Sequence, residues 1–437
     1  MYANHSWRTI KPADRVYLEL VICDALGIAA AGVKAPGIRE MLDGISDLGG
    51  GDIRPIWTDL RVNAPAAGMV LSILIHAWDF DDTHDDAVVH TASVAVASSF
   101  AVAQLGLRDG GECLLDGIVS GVQVLSRLAR LVGPRDGVIR TAGLGAIAAA
   151  VAAATTLGLS REATQSAAGL ALTSSLAPYT RQAVVDGSLA KRLQPGLAVQ
   201  TGITAALLAR RGVVGPSDWL TGRYGILPGS ELTFNDLFTG EFEGGGIALK
   251  PYPACRFTHA ALAAAEKLLP AEPAPKTIER ITVHVPAGDA YALVSRSYED
   301  RGSPIIDAQF SISWQVAAIA ATGAYGLATL RGRDLADSRI SEMAHRVTVL
   351  QDLPAADVMS DAVVEVALTS GEVLSHRAPM PGSPAHPLDW DALAMKINSC
   401  LIVAGRNDLD SDRILSIVQQ LATADSAKLS ILIAGLT

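Results

Sequence analysis

From Pro12 to about Ala264, apolar residues recur at roughly helical spacing almost throughout. Asp14–Ala31, rich in Leu, Ile and Ala, predicts an opening helix, and Met69–Ala77 reads as a buried stretch. Further helices are predicted over Thr91–Leu105, Gly111–Leu131, Thr141–Leu157, Arg161–Ser175, Pro195–Arg211 and His259–Leu269. Ala and Gly crowd their facing positions, which lets helix axes approach closely. The pattern changes near Leu269, where the Pro-Ala-Glu-Pro-Ala-Pro run of 270–275 predicts a stiff linker. Beyond it Ile281, Val283 and Val285 alternate with Thr282 and His284, the period of a half-buried strand over Ile278–Val285. Phe310–Leu327 returns to helix. Arg346–Leu350 and Ala362–Leu368 are strand-like, and the latter turns through Thr-Ser-Gly-Glu into Val373–His376 as a hairpin. After a Pro-rich joint at 379–387, helices are predicted over Asp389–Ala404 and Asp412–Leu421. The expected fold class is mainly α: a large all-helical domain over 1–264, a smaller α+β domain over 265–397, and C-terminal helices over 398–437 rejoining the first. Pro-rich joints on both sides of the smaller domain suit a semi-rigid lid.

Composition narrows the class. The 437 residues are 49% hydrophobic and only 18% charged, with a mean hydropathy of +0.30. Such a chain can bury a large core and also a broad subunit interface, so a homodimer is expected. Ala142–Leu159 is the best membrane candidate, but it is built from Ala, Gly and Thr and bracketed by Arg140 and Arg161. A close-packed interior helix is the better reading. The N-terminus shows no basic start followed by an apolar core, so no export signal is expected. Cys23, Cys113, Cys255 and Cys400 are scattered without a CxxC pair, against a zinc or iron–sulfur site and for a reducing, cytoplasmic compartment. A net charge of −10 without a basic stripe excludes nucleic acid as an expected partner.

Three segments carry candidate chemistry. Between His76 and Ser93, Asp79, Asp81, Asp82, Asp85 and Asp86 crowd beside His84 and His90, directly after the buried-looking stretch. Carboxylates and imidazoles held together serve proton transfer or metal binding, whereas a plain acidic run is a solvated loop. Asp79, Asp82, Thr83, Asp86 and His90 share one face if the segment is a continuous helix, and need not if it is a loop. The second segment, Gly187-Ser-Leu-Ala-Lys191-Arg192-Leu-Gln194-Pro195-Gly196, sets two cations before a helix, where free N–H groups also favour an anion. The competing reading is an ordinary surface pair. The third, Lys250-Pro-Tyr-Pro-Ala-Cys255-Arg256-Phe-Thr258-His259, stiffens a cation, a thiol, a guanidinium and an imidazole with prolines. Cys255 reads equally as a small buried hydrophobe, and His259 as a capping or core histidine.

Taken in order, and with Asp24 in the opening helix and Phe310-Ser-Ile-Ser-Trp314, these segments resemble the MmgE/PrpD family of 2-methylcitrate dehydratases, cis-aconitate decarboxylases and an iminodisuccinate epimerase. The resemblance implies a helical domain with an α+β lid, a homodimer, a cofactor-free and metal-free site between domains, and small carboxylate substrates. It assigns Asp79, His90 and Thr83 to catalysis. Lys191, Lys250, Arg192, Arg256, His259, Cys255 and Trp314 fall to substrate binding. Departures from the family pattern matter. Ile139, followed by Arg140, stands where the decarboxylase branch has a pocket histidine. Cys255 replaces a second histidine, Trp314 a tyrosine and Gln194 a further histidine, and Thr91 follows the acidic-run histidine in place of a proline. Loss of these proton donors argues against cis-aconitate decarboxylation. The expected function is a hydro-lyase of the 2-methylcitrate dehydratase type, with an epimerase or isomerase of a small dicarboxylate as the alternative.

Two readings lie outside that chemistry. Asp81-Asp-Thr-His-Asp85 fits the DDxxD magnesium motif of class I isoprenoid synthases, and Asn235-Asp-Leu-Phe-Thr239-Gly-Glu-Phe-Glu243 fits their second metal motif. Aromatics at 5% are too few for carbocation chemistry, and Gly240 with Gly244–Gly246 weakens a helix there. The other is a catalytically decayed binding homologue, against which the retained Asp79, His90 and both lysines argue.

Overall fold

A computed structural model describes residues 5–173, 175, 180–269, 277–299, 301, 303–331, 333–356 and 358–436. The chain divides into two compact units. One comprises Met1–Arg181, Arg192–Ile247 and Trp390–Thr437, the other Gln182–Lys191 and Ala248–Asp389.

The first unit is helical. Its opening helix, Pro12–Gly32, packs against Ala64–His76 and against Trp390–Ala404, the first helix after the chain returns from the second unit. Ala92–Ala103, Gly111–Val132 and Arg140–Thr156 form a tight layer. The Ala/Gly pattern explains its closeness: a Cβ at Gly117 would collide with the Thr156 hydroxyl and the Ala152 carbonyl. Arg140–Thr156, which contains most of the candidate membrane stretch, is an interior helix buried along nearly all its length. Among the described residues no helix is long and apolar enough to cross a membrane.

The second unit is α+β. A four-stranded sheet runs in the order Val347–Leu353, Ile278–Pro286, Ala362–Leu368, Val373–Ala378, with the first pair parallel and the others antiparallel. The period-two reading of the central strand holds: Ile281, Val283 and Val285 are buried while Thr282 and His284 are half-exposed. Leu368 N–H closes the expected hairpin on Glu372 O at 2.8 Å. Helices His259–Leu268 and Ile312–Thr322 pack with the sheet. The boundary expected at 265 thus lies inside this unit, whose main segment begins at Ala248, and the predicted linker at 270–275 lies outside the described residues.

Several local expectations shift. The helix predicted from Pro195 starts at Ala190 and carries Pro195 inside it, so Lys191 and Arg192 are helical residues rather than a preceding loop. Proline lacks the N–H that would bond the Lys191 carbonyl, a break that helices tolerate best near their first turns. Shorter helices such as Ile38–Ser46, Pro304–Gln309 and Ser426–Ala434 escape the periodicity because each spans about two turns.

Candidate active site

The acidic segment is a loop, so the shared-face argument for a helix does not apply. Ala64–His76 begins at Asn63, whose side chain accepts Ala66 N–H at 3.0 Å, and ends at His76. The next helix begins at Ala92. Between them the chain doubles back: His84 N–H donates to Val89 O at 2.9 Å and Val88 N–H to His84 O at 2.7 Å. Asp79 and Val88 sit at φ 50° and 51°, left-handed conformations that are strained for residues with a Cβ. Asp82 ties the loop to the following helix, accepting Thr91 N–H at 3.0 Å, Thr91 Oγ1–H at 2.5 Å and Ala92 N–H at 2.9 Å. Burial, then the charge of Asp81, pushes the Asp82 carboxyl up to about 7 against these hydrogen bonds.

This doubling-back assembles a buried cluster. His76 Nδ1 donates to Asp81 at 2.9 Å, and the His76 and His90 rings meet edge to face with centroids 4.6 Å apart. His90 Nδ1 lies 2.9 Å from the Asp82 carbonyl. A carbonyl only accepts, so Nδ1 carries a proton, and when the ring is neutral it is Nε2 that presents the lone pair. That nitrogen is 3.9 Å from Asp79 Oδ1, which is itself buried. Thr83 is buried in the same loop, and its hydroxyl has no hydrogen-bond partner among the described residues. Ligand atoms of His76, Asp79, Asp81 and His90 lie within 4.8 Å of one another, a two-nitrogen, two-oxygen set of the kind that holds a divalent transition ion. Three of the four, His76, Asp81 and His90, also hydrogen-bond within the loop, His76 to Asp81 and His90 to the Asp82 carbonyl.

Arg192 belongs to the same unit. It is 1% exposed, its Nη1 donates to Pro36 O at 2.8 Å, and its guanidinium lies 5.8 Å from the Trp78 ring centroid. Nε and Nη2, the parallel fork that suits a carboxylate, have no acceptor among the described residues. Burial pulls its pKa down to about 10, opposed by the negative charge of Asp79.

The motif proposed for a second magnesium site is spent otherwise. Asn235–Glu243 is divided between two 3-10 segments, Phe234–Phe238 and Glu243–Gly246. Asp236 caps Thr233, and Glu243 pairs with Arg130 at 2.9 Å and Arg127 at 3.2 Å. Burial works to raise the Glu243 pKa, but hydrogen bonds from His84, Arg130 and Arg127 outweigh it and hold it at about 2. Glu243 anchors the acidic loop from outside.

The remaining candidates lie in the second unit. Lys191 is nearly buried, with its ammonium 5.6 Å from the Phe310 ring centroid, and Lys250 is fully buried. Arg256 Nη1 donates to Pro381 O at 2.6 Å and lies 3.4 Å from His259 Nδ1, while His259 Nε2 donates to Ala254 O at 3.2 Å. Cys255 N–H bonds Gln309 O at 3.0 Å, and its side chain is half-buried. Trp314 is fully buried between Tyr298 and Tyr325, and its indole N–H has no partner among the described residues. In the first unit, the sequence reading counted Asp81 among the crowded carboxylates but assigned neither it nor His76 to the site. Their signal was present: both stand in the same acidic segment as Asp79, five positions apart.

Two family models match the chain in succession. The MmgE/PrpD N-terminal domain model matches residues 2–231, and the MmgE/PrpD C-terminal domain model matches 252–421. A cis-aconitate decarboxylase of Aspergillus terreus is 29% identical over 222 residues, 47% of this chain and 43% of that protein. A second, from Aspergillus terreus strain NIH 2624 / FGSC A1156, is 28% identical over 287 residues, 57% and 54% of the two chains. The cis-aconitate decarboxylase-like protein oryM of Aspergillus oryzae is 29% identical over 206 residues, 45% and 42%. The chain spans about half the length of the curated relatives it matches.

Proposed function

This chain belongs to the MmgE/PrpD family, and on that premise we propose that it carries out cofactor-independent C–H acid chemistry on a small di- or tricarboxylate, with elimination of water as the leading reaction. One observation carries the reading: the Asp82 carbonyl fixes the His90 tautomer and leaves Nε2 facing the buried Asp79 carboxylate. That is a base with its lone pair presented and a second proton-transfer group beside it.

In the forward direction His90 or Asp79 takes the proton from the carbon next to a substrate carboxylate. The electron pair left behind spreads onto that carboxylate and then expels the β-hydroxyl, which leaves as water after taking a proton from the other group. That group enters the step in its acid form, Asp79 as the carboxylic acid when His90 is the base, or His90 as the imidazolium when Asp79 is. Lys191 and Lys250 stabilise the charge that grows on the carboxylate oxygens, more in the transition state than in the ground state. The open Nε/Nη2 fork of Arg192 supports binding of a carboxylate, since a buried guanidinium with two idle donors calls for an anion. Thr83 orients the substrate or the base through its idle hydroxyl.

The named relatives favour a second reading, decarboxylation of cis-aconitate, in which carbon dioxide departs and the resulting carbanion is protonated. The two readings separate in one experiment, incubation in deuterated water with 2-methylcitrate, citrate, cis-aconitate and iminodisuccinate. Elimination gives an unsaturated product from a hydroxy acid. Decarboxylation releases carbon dioxide from cis-aconitate. Exchange with inversion and no loss of water marks an epimerase. Silence across the panel overturns the reading in favour of a binding homologue.

A further inference from the structure

The mechanism leaves one buried ion pair unused. Lys396 lies in Trp390–Ala404, the helix that follows the chain's return from the second unit. It is 7% exposed, and its ammonium bonds the Asp24 carboxylate at 2.9 Å and the Phe80 carbonyl at 2.9 Å. It also stands 4.1 Å from the Phe80 ring centroid. An ion pair that served only to join two helices would need no third partner in a loop. Phe80 is the residue between Asp79 and Asp81, and the strained residue Asp79 is held on its other side by its own N–H to His76 O at 3.1 Å. A left-handed aspartate persists only where its surroundings over-determine it.

We propose that Lys396 is a positioning residue for the acidic loop: by gripping the Phe80 carbonyl it fixes the Phe80–Asp81 peptide, and with it the turn that aims the Asp79 carboxylate toward His90. Asp24 balances the charge of the ammonium, while the bond to the Phe80 carbonyl is the one that fixes the loop. The arrangement makes the C-terminal helices part of the site although none of their residues is placed in the chemistry. The kinetic consequence rests on the acid–base reading above. The structural consequence does not.

The test uses the full chain and three variants. In Asp24→Asn/Lys396→Met both charges leave together, so no buried charge is stranded and the fold is retained. Asp24→Asn alone keeps the Lys396–Phe80 contact, and Lys396→Arg keeps both charge and donors. Hydrogen exchange of the peptide spanning residues 76–93, read by mass spectrometry, should quicken at least tenfold in the double variant. It should stay within threefold of the parent in Asp24→Asn and Lys396→Arg. For substrates that the parent turns over, kcat should fall at least thirtyfold in the double variant with KM moved less than threefold, and Lys396→Arg should recover most of it. Unchanged exchange of 76–93 in a folded double variant overturns the proposal. So does equal quickening in Asp24→Asn, which would reduce the pair to a helix tie. A parent inactive on the whole panel defeats the reaction assigned above, while the exchange result still decides the role of Lys396.

Discussion

Between His76 and Thr91, imidazoles and carboxylates meet one another; between Lys250 and His259, the guanidinium and the imidazole meet backbone carbonyls. Both segments adjoin helices and carry many ionisable side chains, and both are largely buried. The first stores strain at Asp79 and sets His90 Nε2 3.9 Å from the Asp79 carboxylate. The second has its segment locked by Arg256 on Pro381 and His259 on Ala254, with a neutral tautomer fixed at both ring nitrogens. Density of titratable groups therefore does not identify a reactive site. What distinguishes the acidic loop is that its groups face each other and are positioned by atoms outside the reaction.

Breaking the reactive side should give the largest effect. Asp79→Asn removes a proton-transfer group without changing shape and should lower kcat about 1,000-fold, with KM nearly unchanged, in steady-state kinetics. His90→Gln should match it and also abolish one limb of the pH–rate profile. Lys250→Ala should slow turnover about 100-fold and raise KM, because the lost charge serves both binding and the transition state. Dialysis against EDTA should leave the rate unchanged; a loss restored by a divalent ion would make the His76–Asp79–Asp81–His90 set a metal centre.

A middle effect is expected at the anchor of the acidic loop. Glu243 ionises at about 2 in the folded chain, below its ordinary value of 4.5. Its contribution is therefore complete above pH 4.5 and is lost as pH falls toward 2. Glu243→Gln should cost about 3 kcal/mol at neutral pH and flatten the acid limb of stability against pH in denaturant titrations. A parent and variant with parallel acid limbs would remove Glu243 from this role.

On the locked side, smaller effects should appear in stability first. Arg256→Ala should destabilise the second unit by about 2 kcal/mol, by loss of a charged donor to a buried carbonyl. A raised KM without a lowered melting temperature would return Arg256 to substrate binding. Cys255→Ser should be smallest, within about 0.5 kcal/mol in stability and twofold in kcat. A large loss of turnover would promote the thiol to a proton donor in place of the absent imidazole.

Long helices and the strand alternation were legible because burial imposes periods of 3.6 and 2 on residues such as those of Gly111–Val132 and Ile278–Pro286. The extent of the second unit was not, since Gln182–Lys191 joins it from a distant part of the chain. Asp79, Thr83 and His90 were named from the sequence through a family resemblance, but the meeting of Asp79 with His90 depends on a doubled-back loop that has no period. His76 was hidden by reading as the apolar helix's last residue, and Lys396 by standing more than 300 positions from Phe80. Pairings of that separation leave no local trace.

Deuterium incorporation into a carboxylate substrate, followed by NMR in deuterated water for the parent and for Asp79→Asn, tests the central claim most directly. The account predicts that the parent exchanges or eliminates the proton next to a carboxylate, and that Asp79→Asn does so at least 100-fold more slowly while calorimetry shows the substrate still bound. Equal rates in parent and variant would contradict it and leave the acidic loop as scaffold.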